Sequence, residues 1–148
     1  MATEWYRCES WTLAEEKHFF AKLDRARKDG RAQYLRIQAF HLVESRDLRR
    51  LEAAESLLNR ILTDFPDNRV EKSMTLSQLG AIYRLRGNND RALHYFKQAV
   101  DFEQEFPNVI SGALLNFAEI VVEEGRGELY DEVENLLVAE TEKGGFFF

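Results

Sequence analysis

The chain has 148 residues, a formal net charge of −6 at pH 7, 45% hydrophobic residues and only two prolines, a balance that suits one folded unit rather than a disordered one. No apolar run approaches the roughly eighteen residues of a membrane span, and the acidic total with no recognition motif argues against nucleic acid as a partner. A single cysteine, Cys8, cannot form an internal bridge, and MATEWYRCES lacks the pattern of a signal peptide, so the expected setting is cytoplasmic.

The spacing predicts helices throughout, and no stretch alternates as a strand would. Trp5, Tyr6 and Trp11 cluster at the start, where aromatics can cover the end of a helical stack or form a binding patch. Thr12 followed by Glu15 is a capping-box signature and opens a helix over about residues 13–28. Phe19, Phe20, Leu23 and Ala26 form its apolar side, and Asp29-Gly30 is expected to end it, making 1–30 an N-terminal capping segment and helix.

A helix hairpin is expected over 31–66. Its first stripe is Leu35, Gln38, Ala39 and Leu42, and its second is Ala54, Leu58, Ile61 and Leu62, with Pro66 as the stop. Joining these stripes calls for a turn about three residues longer than that of the next hairpin, around Ser45–Arg50.

The next hairpin, over 69–107, carries the clearest pattern. Leu76, Leu79, Gly80 and Tyr83 lie on one helical stripe, and Ala92, Phe96, Ala99 and Val100 repeat it on a second. Gly87 stops the first helix and Asn88, Asn89 and Asp90 supply cap residues for the second. So short a link lays the helices antiparallel. Gly80 and Ala92, the smallest residues on their stripes, allow close approach, with Tyr83 and Phe96 filling the space beside them.

A further hairpin is expected over 108–142, with Leu114, Phe117, Ala118 and Val121 on its first helix and Leu129, Val133, Leu136 and Leu137 on its second. Gly125 stands 38 positions after Gly87. Residues 143–148 form an apolar tail whose Phe146, Phe147 and Phe148 are expected to fold back, to pair with a second copy as a homodimer, or to mark a chain cut short of further repeats. Charge is concentrated here: residues 101–148 carry Arg126 and Lys143 against twelve acids.

In residues 76–99, LSQLGAIYRLRGNNDRALHYFKQA, the order of Leu79, Gly80, Tyr83, Ala92 and Phe96 resembles the tetratricopeptide repeat, whose signature runs W-x2-L-G-x2-Y…A-x3-F over about 34 residues. The other two hairpins match it loosely, with a spacing of 38–41, as in a divergent relative. The resemblance implies an all-α fold of about seven helices, stacked as a right-handed α-solenoid whose first helices line a concave groove. It also implies a non-enzymatic protein–protein interaction module that binds a peptide or partner protein there. On the register of the central unit, the groove positions are Arg36, Phe40, Ser77, Ala81, Arg84, Leu115 and Glu119. Phe40 and Leu115 would be anchors, and Arg36 and Arg84 would be ion or carboxylate contacts. The lysine and asparagine cage by which some members grip chaperone tails is missing from these positions, so that specificity is not expected.

No catalytic constellation accompanies the helices. His18, His41 and His94 lack ligand-type partners at metal spacing, no glycine-rich phosphate loop or G-x-S-x-G turn occurs, and no cofactor is expected. Two other readings compete. The acidic C-terminal third suits an immunity or antitoxin-like inhibitor of a basic enzyme. Glu119, Glu123 and Glu124, on one helix, suit a carboxylate-based metal-binding or enzyme protein.

Overall fold

The computed structural model describes residues 4–143; the apolar Phe146–Phe148 end lies outside them. Seven α-helices occur among the described residues, and no strand. They are α1 (Leu13–Arg25), α2 (Lys28–Glu44), α3 (Leu48–Asp64), α4 (Arg69–Leu85), α5 (Asn89–Glu105), α6 (Ala113–Glu123) and α7 (Tyr130–Glu142), with a short 3-10 turn at Gly127–Leu129. Neighbours in sequence pack together: α2 on α3, α3 on α4, α4 on α5, α5 on α6, and α6 on α7.

The first helix starts where its sequence signals a start. Thr12 Oγ1 accepts from the Glu15 amide at 3.1 Å and the Glu15 carboxylate accepts from the Thr12 amide at 3.0 Å, a reciprocal capping box. It ends earlier than expected. Ala26 adopts an extended conformation and α2 begins at Lys28, so Asp29 and Gly30 sit in the first turn of α2 instead of stopping α1. Arg31 supplies the reason: its guanidinium reaches back to the carbonyls of Ala26 (3.1 Å) and Asp24 (2.9 Å). Carbonyls left free at a helix end are thereby satisfied without a left-handed glycine.

The central four helices form two hairpins in common register. Each helix has 17 residues. Steps of 41 residues carry Lys28 to Arg69, Leu48 to Asn89, and the closing pair Phe65-Pro66 to Phe106-Pro107. Both turns are three residues long, so the longer turn expected around Ser45–Arg50 is absent. The left-handed residue of the second turn is Gly87, at φ +78°; in the first it is Arg46, at φ +57°. Asp47 and Asn88 then cap α3 and α5 through their side chains. With equal turns, Leu51 is the counterpart of Ala92, and the small Ala54 lies one helical turn further along α3.

The third hairpin is shorter. Its first helix has 11 residues and its turn repeats the one after α4: Asn88 N–H bonds the Tyr83 carbonyl, and Arg126 N–H bonds that of Val121. Gly87 and Gly125 take the positive φ that this arrangement needs. Leu129, expected on the second helix, instead closes the 3-10 turn ahead of α7.

Two clusters of buried side chains meet along α4. Leu79 and Ile82 join Phe19, Leu35, Leu42, Leu58 and Ile61, whereas Leu76 joins Phe96, Val100, Phe117 and Val121. Close approach between α4 and α5 depends on Gly80, where an added Cβ would stand 2.7 Å from the ring of Phe96. Tyr83 lies to the side, stacked on Tyr95 with ring centroids 5.5 Å apart, its hydroxyl bonded to Glu55 of α3.

Two polar features complete the frame. Gln38, fully buried on the leucine-like stripe of α2, bonds both backbone groups of Cys8 and so ties the N-terminal segment to the helix. That hold lets Trp5 pack on Phe19 and Tyr34, and Trp11 on Phe19. Ser73, also fully buried, donates to Glu103 at 2.8 Å and links α4 to α5.

Candidate functional site

A cleft of about 160 Å³ opens where α2, α4 and α6 come together. Phe40 and Val43 form its wall on α2, Ser77, Gln78 and Ala81 its floor on α4, and Asn116 its far side on α6. Phe96 closes it from behind, on the side of α4 where Gly80 leaves room. The helical period explains this convergence: Ser77 and Ala81 are four residues apart and therefore share a face.

Most of the lining is apolar, and Phe40 stays about half exposed although it is a large apolar side chain. Asn116 donates to the Gly112 carbonyl at 3.1 Å, which orients its amide at the start of α6. The side-chain oxygen of Gln78 is buried with no hydrogen-bond partner. A buried amide oxygen without a donor is costly, by about 1–3 kcal/mol. Gln78 and Asn116 were not among the groove positions expected from the sequence.

The expected positions divide into three groups. Phe40, Ser77 and Ala81 line the cleft. Arg36 is withdrawn from it: its guanidinium pairs with Glu71 at the start of α4, and both side chains are largely buried. Its guanidinium thus joins α2 to α4. Arg84 is engaged likewise, with Nη2 at 2.9 Å from Glu119 and 2.8 Å from Glu123. Those bonds hold the guanidinium charged above its ordinary range, and the Arg84 bond lowers the Glu119 carboxyl. Arg84 and Glu119 therefore form an ion pair between α4 and α6 that stays partly open to solvent. Leu115 is exposed on α6 and does not line the cleft.

The three carboxylates considered for a cation separate. Glu119 and Glu123 turn to Arg84, whereas Glu124 accepts from Asn89 and Arg126, both at 2.8 Å. Among the described residues no group of three or more His, Cys, Asp or Glu side chains is placed to share an ion. At the other end of the molecule, burial and the Glu15 carboxylate push the Cys8 thiol up, away from the reactive thiolate. No helix among the described residues is long and apolar enough to cross a membrane.

No family model, curated protein or solved structure matches the chain. The geometry itself defines the class: an all-helical protein of stacked helix pairs, with a small, mainly apolar cleft on the side shared by the first helix of each pair.

Proposed function

We propose that the chain is a non-enzymatic protein-interaction module of the tetratricopeptide-like kind, binding a peptide segment of a partner protein across α2, α4 and α6. The observation that carries this reading is the mainly apolar cleft at Phe40, Ser77 and Ala81. An apolar side chain of the partner fills the cleft. The two ion pairs that bracket the cleft, Arg36–Glu71 and Arg84–Glu119, brace neighbouring first helices and hold its width. On this reading the repeated hairpins form a curved right-handed stack, and the cleft lies on its inner side.

The test is selection of phage-displayed random peptides on the full chain and on Ala81→Trp, which fills the cleft from a partly exposed position. Enrichment of peptides with a large apolar residue that bind the natural chain and lose Ala81→Trp is the expected result. Peptides that bind both proteins equally, or no enrichment at all, remove this reading.

A further inference from the structure

A second surface, separate from the cleft, lies at the far end of the helix order. A groove of about 650 Å³ runs along α7, with Val122, Tyr130, Leu137 and Val138 on its floor and Glu134 and Glu142 on its edges. Val122, Tyr130 and Val138 are each about half exposed or more. Tyr130, Leu137 or Val138, and Thr141 recur at helical spacing, so the groove follows one face of α7 for about three turns. Elsewhere in the molecule a helix in this position is covered by the next one, as α5 is covered by α6; among the described residues α7 has no such neighbour.

The edge charges say what kind of surface fits. Several acids of the C-terminal third are already paired: Glu119 and Glu123 with Arg84, Glu124 with Arg126, Glu132 with Lys97, and Glu140 with Lys143. Glu134 and Glu142 have no ion-pair partner among the described residues. An isologous contact about a two-fold near Val138 would set Glu134 of each copy beside Glu142 of the other, which like-charge repulsion disfavours. A cationic occupant meets them with the opposite sign.

We propose that the α7 groove docks an amphipathic helix of a partner protein, with an apolar stripe on its floor and lysines or arginines against Glu134 and Glu142. This inference does not rest on the peptide cleft, which belongs to other helices.

The probe is a labelled peptide of about five helical turns, with leucine at i, i+3, i+4 and i+7 and lysine elsewhere. It is compared by fluorescence anisotropy with a glutamate-for-lysine version and with a scrambled version of the same composition. The lysine peptide binds the full chain, and the other two bind at least about tenfold more weakly. Val138→Lys, at an exposed position, weakens the lysine peptide by a similar factor, and Glu134→Lys with Glu142→Lys reverses the preference toward the glutamate peptide. Ala81→Trp leaves all of these affinities unchanged, which separates this groove from the cleft. Equal binding of the lysine and glutamate peptides, equal binding by Val138→Lys, or no binding overturns the proposal. So does a lysine peptide bound only by a chain ending at Lys143, because the groove then belongs to the chain's own last residues. Sedimentation as a dimer that Val138→Lys dissolves gives it to a second copy instead.

Discussion

Gln38 holds Cys8 by both of its backbone groups: Oε1 accepts the Cys8 N–H at 2.9 Å, and Nε2 donates to the Cys8 carbonyl at 2.8 Å. One buried amide thus supplies what a neighbouring strand would, a donor and an acceptor side by side. The aromatic packing of Trp5 and Trp11 on Phe19 follows from the path this hold imposes.

Gln38→Leu restores an apolar stripe to α2 but leaves the N–H and carbonyl of Cys8 without partners. Stability falls by about 1–2 kcal/mol, in the lower part of the roughly 1–3 kcal/mol cost of an unpaired group because those of Cys8 are only partly buried. Because the segment also loosens, the Cys8 thiol reacts faster with a disulfide reagent in the folded state. Denaturant unfolding measures the first effect and thiol labelling the second; unchanged labelling would show that the aromatics alone hold the segment.

Gly80→Ala sets two effects against each other. A glycine inside a helix costs about 0.5–1 kcal/mol relative to alanine, so the change alone favours the helix. The new methyl would lie 2.7 Å from the fully buried ring of Phe96, and overpacking of that kind costs about 1–3 kcal/mol. The packing cost wins, giving a net loss of about 1 kcal/mol by denaturant unfolding. Adding Phe96→Leu recovers stability relative to Gly80→Ala alone.

Arg36 and Arg84 carry the same charge but their carboxylate partners differ in burial, so their alanine variants separate. Arg36→Ala leaves the Glu71 carboxylate buried without its cation and costs about 3 kcal/mol. Arg84→Ala frees Glu119 and Glu123 into solvent and changes stability by less than about 1 kcal/mol. Thermal unfolding of the two variants side by side checks the contrast; equal losses would contradict it.

The start of α1 is sensitive to acid. The Glu15 carboxyl lies below its ordinary range, chiefly because the Thr12 amide donates to it and then because the Ser10 hydroxyl does. A lowered folded value means stability that is present above the ordinary glutamate range and lost as pH falls through the lowered one. Glu15→Gln keeps an acceptor without the charge, so its stability profile is flatter on the acid side. Titration of the Glu15 side chain by NMR gives the folded value directly, and a value at or above the ordinary one would exclude this contribution.

Helix number and order could be read from the sequence because the stripes around Leu76, Ala92 and Phe117 have a strong period and Gly87 and Gly125 punctuate them. The first turn was misplaced because Arg46 occupies a conformation that arginine does not advertise, so the register was drawn from Ala54 instead. Gln38 stands on an otherwise apolar stripe with nothing in the sequence to name its partner, since that partner is backbone and leaves no side-chain signature. Phe40, Ser77 and Ala81, which line the cleft, follow from the repeat resemblance and its register, because helical spacing alone does not say which face is the inner one. The engagement of Arg36 by Glu71, 35 positions away, depends on how two helices are set against each other, and no local pattern carries that.

The shared 41-residue step has a consequence for how this chain tolerates changes of length. Within 28–109, one residue gained or lost inside a helix swings everything beyond it by about 100°, because a turn holds about 3.6 residues. A change between Gly80 and Phe96 would take Phe96 off Gly80 and part the α4 and α5 sides of the second cluster. Many identities in this stretch can be exchanged at modest cost; its spacing cannot.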